Sequence, residues 1–519
     1  MLDIKITGGQ VVDGTGGPAR TADVGIRGER IAAVEDLSAA EAKTVIDARG
    51  QIVCPGFIDA HSHSDAYLLI EPSAPSKIHQ GVTTEVVGNC GASAAPLAGE
   101  YRLPSDWRDK PFPGEWHTVA EYRTLLEQAR PAPNVVLLIG HNTVRAGVMG
   151  YADRAATDGD LRKMKRLLRQ ALDEGGRGLS TGLVYPPGVF AERLELVELA
   201  KVAAERGGIY TSHMRSESGQ LLAAIRETLS IGRSARIRVE ISHLKTTGRA
   251  NWGLLDEALD LIRAARDEGV DAAADRYPYT AGCTDLDIIF PAWAQAGGHD
   301  AALARLRDPA ERARLRDALL GSLADGGAGI TIASTRHPEN AGFQGMPLPE
   351  VARQLNLSPT DAVLHLAESD ELRTSAFFHG MSEENMFRIL AEPYVMIGSD
   401  ASLRAPTGPL AADYPHPRAY GTFPRFLRMA LDGKTVSLPE AVRKITALPA
   451  THFRLKNRGL IAKHMQADLV VFDPRRLRDA ATYANPRRFA EGIAEVIVNG
   501  VPTLSDGRLT GARAGWFLD

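Results

Sequence analysis

The central part of the chain alternates short apolar runs with amphipathic stretches, which is typical of βα units that build a parallel sheet. One stretch has a clear helical period, and its apolar face consists of Leu161, Met164, Leu167, Leu168, Ala171 and Leu172. The apolar runs that predict strands are residues 52–61, 83–89, 134–140, 178–185, 208–213, 238–244, 270–279 and 394–400. Eight strands separated by helical stretches predict an α/β fold with a (β/α)8 TIM barrel.

Both ends of the chain show a different pattern, in which apolar and polar residues alternate with a period of two between Gly and Asp turns. Residues 1–57 have this pattern, and it returns in residues 467–474 and 494–511. It is typical of half-buried antiparallel strands. We therefore predict that the two ends together form one small β-sandwich domain.

The predicted domain boundaries follow from these two patterns. The β-domain takes residues 1–57 and 449–519, and the barrel takes residues 58–448. An insertion at about 284–393 precedes the eighth strand and contains the strand-like segment GITIAS. The insertion is a candidate lid, and its His337 and His379 are interpreted as structural or exposed residues.

Length, charge and cysteine content narrow the class of protein. A chain of 519 residues suits one barrel of about 250 residues with insertions and an accessory domain. The formal net charge is −4, so the sequence favours a small-molecule partner over nucleic acid or a membrane. Neither a signal peptide nor an apolar run of about 18 residues is present. Three cysteines, Cys54, Cys90 and Cys283, favour a reducing compartment. We expect a cytoplasmic protein and leave its oligomeric state open.

Six side chains that can bind a metal lie at or just after predicted strand ends. They are His61, His63, Cys90, His213, His243 and Asp400. His61 and His63 are two positions apart, so both can point to the same side of an extended chain. Active sites of such barrels lie at the C-terminal ends of the strands. Because imidazole, thiolate and carboxylate groups are zinc ligands, the pattern predicts a zinc site at this rim.

Taken singly, these residues have ordinary structural explanations. A lone histidine at a strand end is more often a hydrogen-bonded structural residue, and Cys90 alone is more often a small buried apolar side chain. Asp400, within GSDAS, also suits a turn or a helix cap. Their shared position at successive strand ends favours the metal site, since unrelated structural residues have no reason to occupy one rim.

Several motifs resemble those of the N-acyl-D-amino-acid deacylases (D-aminoacylases) of the amidohydrolase superfamily, over nearly the whole chain. They are PGFIDAHSHSD (55–65), GVTTEVVGNCGASAAP (81–96), GLSTGLVYPPG (178–188), SHMRSE (212–217), ISHLKTTG (241–248), RYPYTAG (276–282), GSDAS (398–402) and HPRAYGTFPR (416–425). His-x-His after the first strand is shared by the superfamily, whereas Cys90 in GNCG narrows the resemblance to the deacylases.

The resemblance implies zinc-dependent hydrolysis of the amide bond of an N-acyl-D-amino acid, which gives a D-amino acid and a carboxylate. The implied tight zinc site is Cys90, His213 and His243. A second, weaker site at His61, His63 and Asp400, with Cys90 shared, stays open. Related binuclear enzymes usually carry a carboxylated lysine on the fourth strand, but GLSTGLVY has no lysine. A Cys90 thiolate would supply the missing negative charge.

The resemblance also implies a mechanism. Zinc lowers the pKa of bound water to about 7, and the metal would stabilise the developing oxyanion. Asp400 would accept the proton of the attacking water and pass it to the leaving nitrogen.

The same resemblance implies residues that bind the substrate. Arg418, Lys245 and either Tyr277 or Tyr279 would bind the α-carboxylate, and Tyr185 would be an active-site tyrosine. The planar guanidinium of an arginine suits bidentate carboxylate binding. Without the resemblance, Arg418 would be taken for a surface residue in the loop after Asp400.

The sequence leaves two alternatives open. The first is a cyclic-amide hydrolase of the hydantoinase or dihydroorotase type, although the missing fourth-strand lysine disfavours it. The second is a metal-free barrel that serves as a scaffold, although all of the expected ligands are present. The chain also departs from the deacylase pattern, because Ala401 and Ser402 follow Asp400 where many relatives have glycine.

Overall fold

The computed structural model describes residues 1–108 and 110–519 and has a mixed α/β fold. Its strands are β1 Leu2–Val11, β2 Arg20–Arg27, β3 Arg30–Glu35, β4 Ala42–Asp47, β5 Ile52–Pro55, β6 Phe57–Asp59, β7 Val82–Val87, β8 Asn134–Leu137, β9 Ile139–Gly140, β10 Gly178–Gly182, β11 Ile209–His213, β12 Arg238–Ile241, β13 Ala272–Arg276, β14 Ala281–Asp285, β15 Ile330–Ile332, β16 Ser375–His379, β17 Val395–Ile397, β18 Leu469–Phe472, β19 Ile493–Val498, β20 Val501–Ser505 and β21 Arg508–Leu509.

The α-helices lie mostly between the strands of the central part. They are α1 Pro75–Ile78, α2 Val119–Ala129, α3 His141–Met149, α4 Asp158–Asp173, α5 Arg193–Glu205, α6 Leu221–Ala235, α7 Leu255–Asp267, α8 Ala292–Gln295, α9 Gly298–Arg307, α10 Pro309–Ser322, α11 Leu348–Leu355, α12 Pro359–Ser369, α13 Glu383–Ala391, α14 Arg418–Leu431, α15 Leu438–Ile445 and α16 Ala447–His452. None of the described helices is long and apolar enough to cross a membrane.

Two parallel sheets occupy the centre of the molecule. One has the order β6-β7-β8, and the other has the order β17-β13-β12-β11-β10-β9. The two sheets meet at both edges. Only Leu138 separates β8 from β9, and the Ala60 amide donates to the Ile397 carbonyl across 3.3 Å. Apolar side chains such as Val86, Val136 and Met396 pack together between the strands.

The predicted amphipathic helix is confirmed as α4. Met164, Leu168, Ala171 and Leu172 are buried on its inner face. The helix begins at a capping box. The Thr157 side chain accepts a hydrogen bond from the Asp160 amide, and the Asp160 side chain accepts one from the Thr157 amide. Sequence periodicity and the cap therefore agree on where this helix lies.

A third sheet combines strands from both ends of the chain. Its order is β21-β20-β19-β18-β5-β1-β2-β3, with β4 paired to β1. The two ends of the chain meet where β18 pairs with β5 in antiparallel direction, with Val470 opposite Cys54. This sheet lies next to the central parallel strands, since β5 and β6 are separated only by Gly56.

The prediction of a single strand over residues 52–61 is wrong. β5 belongs to the terminal sheet, whereas β6 belongs to the central parallel strands. The chain changes sheet at Gly56, where a Cβ atom would lie 2.2 Å from the Thr83 hydroxyl. The continuous apolar run concealed this change, because both strands are buried throughout.

The insertion forms a small unit with its own apolar core. Strands β14, β16 and β15 pair in an antiparallel sheet, and the strand predicted in GITIAS is confirmed as β15. Residues such as Leu306, Leu319 and Val363 form this core. Helix α13, which the sequence analysis included in the insertion, instead packs its Met386 and Ile389 into the main core.

Candidate metal centre

The six predicted metal-binding side chains lie together at the C-terminal ends of the central parallel strands. His213 is the last residue of β11, and the other five follow the ends of β6, β7, β12 and β17 by two to four residues. They form two groups that share Cys90. The groups are Cys90, His213 and His243, and His61, His63, Cys90 and Asp400.

The first group has a geometry that suits a metal ion. Nε2 of His243 lies 3.4 Å from the Cys90 sulfur and 3.0 Å from Nδ1 of His213. Zinc bonds of about 2.0–2.3 Å place neighbouring ligand atoms roughly 3–4.5 Å apart. One thiol and two imidazoles would leave a tetrahedral ion one open position, which is the arrangement of catalytic zinc.

The second group adds a carboxylate to the shared cysteine. Nε2 of His61 lies 3.2 Å from the Cys90 sulfur, and Nε2 of His63 lies 3.1 Å from Oδ1 of Asp400. Nε2 of His61 lies 3.5 Å from Oδ1 of Asp400. Within each group the ligand atoms lie within 4.8 Å of one another. The donor set of this group therefore also fits a divalent metal.

The environment of Cys90 favours its thiolate form. Burial by itself raises the pKa of the thiol, but the neighbouring imidazoles of His61 and His243 bring the pKa well below its usual value. A thiolate is the form of cysteine that binds metals. The side chain that both groups share can thus carry negative charge.

The backbone at this rim adopts unusual conformations. Cys90, His243 and Asp400 have φ angles of 52°, 38° and 49°, in the left-handed region that non-glycine residues rarely occupy. Such conformations cost free energy, and they are found at functional sites as well as in turns. Three of the six metal-binding candidates share this feature.

Two carboxylates beside the histidines, the buried Asp275 and the half-buried Glu217, were not assigned from the sequence. Oδ2 of Asp275 lies 3.1 Å from Nδ1 of His61, and Oε1 of Glu217 lies 2.7 Å from Nδ1 of His243. Such partners orient a metal-binding imidazole. Their sequence signal was an acidic residue next to a strand end, since Glu217 ends the motif SHMRSE and Asp275 lies near the end of β13.

A cavity of about 740 Å³ opens above the metal centre. This cavity is lined by Lys245, Tyr185, Tyr277 and Arg418, which are four of the residues predicted to bind the substrate. The Tyr185 hydroxyl lies 3.1 Å from the Thr284 hydroxyl, on the insertion side of the cavity.

The structure separates the two tyrosines of RYPY. Tyr277 lies between two cations, because its ring centre is 5.8 Å from the Lys245 ammonium and 4.6 Å from the Arg418 guanidinium. Tyr279 does not line the cavity within the described part of the chain, and its ring packs against Arg425 and His416. Of this pair, Tyr277 is therefore the one whose position suits contact with a substrate.

Arg418 was predicted in the loop after Asp400, and that placement is wrong. Arg418 is buried and is the first residue of α14. The segment contains apolar residues at helical spacing, including Phe423 and Leu427, which bury that helix in the main core. The helix start directs the guanidinium at Asp400, with Nη1 at 2.7 Å from Oδ2. Burial by itself raises the pKa of Asp400, but Arg418 and His243 lower it well below its usual value.

Comparisons with known proteins agree with this geometry. The Amidohydrolase family profile matches residues 44–504. D-aminoacylase of Alcaligenes xylosoxydans xylosoxydans is 39% identical over 519 residues, which cover 100% of this chain and 97% of that protein. N-acyl-D-glutamate deacylase of the same organism is 39% identical over 508 residues, which cover 96% of this chain and 93% of that protein.

Solved structures give the same result. D-aminoacylase with a binuclear metal centre has a TM-score of 0.85 and 39% identity, and 100% of both chains is covered. N-acyl-D-glutamate deacylase from Bordetella bronchiseptica, complexed with zinc and a phosphonate inhibitor, has a TM-score of 0.85 and 36% identity over 100% of this chain and 99% of that one. The chain therefore belongs to the amidohydrolase family and, within it, to the N-acyl-D-amino-acid deacylases.

Proposed function

We propose that the central parallel strands, with β8 and β9 counted as one interrupted strand, form a closed (β/α)8 barrel over residues 58–448, with the metal centre at its C-terminal mouth. The contacts between β6 and β17 and the continuity of β8 with β9 support closure. Residues 1–57 and 449–519 then form a β-sandwich domain that contacts the barrel, since the Val135 amide of β8 donates to the Trp516 carbonyl. The insertion lies on the rim that carries the metal centre.

We propose that the protein hydrolyses the amide bond of N-acyl-D-amino acids with bound zinc and releases a D-amino acid and a carboxylate. One observation carries this proposal. The two metal-binding groups, which share Cys90, lie at the same cavity as Lys245, Tyr277 and Arg418, three side chains that would suit a carboxylate. We infer the D configuration of the substrate from the relatives, which are a D-aminoacylase and an N-acyl-D-glutamate deacylase.

Cys90, His213 and His243 would hold the tight zinc ion, and His61, His63 and Asp400 would hold a second ion together with Cys90. The donor set fits zinc, since it offers sulfur, nitrogen and oxygen ligands. Zinc supplies a water of lowered pKa, of about 7, and stabilises negative charge on an amide oxygen.

The residues of the chain supply positioning and proton transfer. Arg418, Lys245 and Tyr277 hold the substrate α-carboxylate, which fixes the scissile amide above the strand ends. Asp400 accepts a proton from the attacking water and returns it to the leaving amine nitrogen. The Tyr185 hydroxyl, which lies 3.1 Å from the Thr284 hydroxyl, lines the same cavity and would contact the bound substrate.

We infer that the substrate is a linear amide rather than a cyclic one. Strand β10 contains no lysine that could bridge two metals, so the negative charge between the metals would have to come from Cys90.

The three cysteines are all unpaired, which supports a reducing location such as the cytoplasm.

The test is a substrate panel with the zinc-loaded protein. It pairs N-acetyl-D- and N-acetyl-L-amino acids with a hydantoin and a dihydropyrimidine. We expect amine release from the D series, little from the L series and no ring opening. Ring opening as the main activity would favour the cyclic-amide alternative, and a protein that binds no zinc would favour the scaffold.

A further inference from the structure

Nδ1 of His243, the ring nitrogen that points away from the metal centre, faces two groups of opposite charge. Nδ1 lies 2.7 Å from Oε1 of Glu217 and 2.8 Å from Nζ of Lys245. The Lys245 ammonium also donates to Glu217 and to the His243 carbonyl, the latter at 3.1 Å. His243 and Lys245 are both buried, whereas Glu217 is half-buried at the edge of the cavity. The three side chains form one closed hydrogen-bonded set.

The outer nitrogen of the same ring belongs to the metal centre. Nε2 of His243 points toward the Cys90 sulfur and His213. A neutral imidazole has one N–H donor and one acceptor nitrogen. Nε2 can bind a metal only as the acceptor, so Nδ1 has to carry the hydrogen.

Lys245 and Glu217 favour opposite tautomers of His243. An ammonium group only donates hydrogen bonds, so Lys245 favours a bare Nδ1 and places the hydrogen on Nε2. An ionised carboxylate only accepts, so Glu217 favours hydrogen on Nδ1. Glu217 also accepts a hydrogen bond from Lys245, so that one carboxylate oxygen contacts both the ammonium and Nδ1 of the ring.

We propose that Glu217 is a positioning residue that keeps His243 in its metal-binding tautomer against the opposing effect of Lys245. The proposal rests on the proposed function, since it takes zinc as the metal and Lys245 as a ligand of the substrate carboxylate. It explains how a substrate-binding cation can lie two residues from a metal ligand and contact its ring.

The test measures zinc affinity by competition with a chelator of known affinity. The proteins are wild type, Glu217→Gln, Lys245→Met and the double variant. We expect Glu217→Gln to weaken zinc binding by about 10- to 100-fold, as for other partners of metal-binding histidines. Lys245→Met alone should change the affinity by less than about 3-fold. The double variant should bind zinc nearly as well as Lys245→Met, because the glutamine oxygen can accept from Nδ1 once the competing donor is absent.

A matched control and a milder variant keep the result interpretable. Glu195 accepts from Nε2 of His141 at 2.7 Å and from Arg145, which is a similar buried arrangement outside the cavity lining. Glu195→Gln should therefore leave the zinc affinity unchanged. Glu217→Asp keeps the charge and should lose less affinity than Glu217→Gln; circular dichroism checks that each variant is folded.

Two results would overturn the inference. They are wild-type zinc affinity in folded Glu217→Gln, and a double variant as weak as Glu217→Gln, since a loss caused by disturbed packing at Glu217 would not be rescued by removal of Lys245. Failure of the wild type to bind zinc would instead refute the proposed function.

Discussion

Arg418 is the residue that joins the two halves of the proposed chemistry. Its Nη1 contacts Asp400, its Nη2 donates to the Cys283 carbonyl at 3.3 Å, and its Nε is buried without a hydrogen-bond partner among the described residues. A guanidinium has five N–H donors. One arginine can therefore contact the substrate carboxylate and Asp400 at the same time, and this places the substrate beside the proton acceptor.

Arg418→Ala should remove most of the preference for a free α-carboxylate. A hydrogen bond to a charged group contributes about 1.5–3 kcal/mol, so kcat/KM for an N-acyl-D-amino acid should fall by about 10- to 150-fold. The measurement compares the acid with its carboxamide analogue in wild type and variant. Arg425→Ala, on the same helix but away from the cavity lining, is the matched control. Equal turnover of acid and carboxamide by the wild type would contradict this role.

Asp400→Asn should remove the proton acceptor while keeping a possible oxygen ligand. General acid–base catalysis contributes about 10²- to 10⁴-fold, so kcat should fall by at least about 100-fold while zinc content stays near that of the wild type. The measurement is kcat together with bound zinc in the same sample. A loss below about tenfold with full zinc would mean that another group accepts the proton.

At the residue scale, the sequence predicted which side chains meet but not how they pair. His61, His63, Cys90 and Asp400 lie together as expected, because parallel strands end at one edge. The choice between Tyr277 and Tyr279 depends on a turn at Pro278, where the Tyr279 amide donates to the Tyr277 carbonyl. A strand pattern places both rings on one face, so it cannot reveal that turn.

At the scale of elements, the insertion contacts the cavity through the end of β14. Asp285, the last residue of β14, accepts hydrogen bonds from the Ser105 hydroxyl at 2.8 and 2.9 Å. Burial raises the pKa of Asp285 to about 8, and the neighbouring Asp287 adds to this shift. The insertion is thus joined to residues 101–108 by a carboxyl group that holds its proton at neutral pH.

Asp285→Asn should change how stability depends on pH. The pKa of Asp285 rises from 3.8 to about 8 on folding. The folded protein therefore keeps a proton that the unfolded chain has released, and this contribution to stability is lost as pH rises toward 8. The fall in Tm between pH 5 and pH 8 should be smaller in the variant than in the wild type. Asp317→Asn, on an exposed helix surface, should follow the wild type; identical pH profiles for all three proteins would contradict the assignment.

The strength of the sequence signal differs between elements. The eight predicted strand positions each contain a strand, because strands buried on both faces leave long apolar runs. The same property concealed the change of sheet between β5 and β6. Helix α14 was missed because its first turn reads HPRAYG, in which proline and glycine suggest a loop.

At the scale of the whole molecule, the end of the described chain returns to the central strands. The Val135 amide of β8 donates to the Trp516 carbonyl, and the Leu518 amide donates to the Val135 carbonyl, both at 2.8 Å. Phe517 is only 6% exposed and belongs to the main core. The sequence predicted that both ends form strands, but it could not predict this contact, which joins positions far apart in the chain.

Phe517→Ala should destabilise the whole protein rather than the terminal segment alone. Removing a buried phenylalanine costs about 3–5 kcal/mol through lost burial and the cavity that remains. Thermal unfolding measures the effect. Trp516→Ala is the matched control, because Trp516 is 39% exposed and should cost much less. Equal losses from the two substitutions would mean that Phe517 does not contribute to the core as described.

The most direct test of the central claim measures bound zinc and the release of D-amino acid from an N-acetyl-D-amino acid in one set of samples. The samples are wild type, Cys90→Ala and Cys54→Ala, where Cys54 is a second buried cysteine, in β5 and outside both metal-binding groups. We predict that Cys90→Ala loses the tightly bound zinc and the activity together, whereas Cys54→Ala keeps both. Full zinc content and near-normal turnover in Cys90→Ala would contradict it.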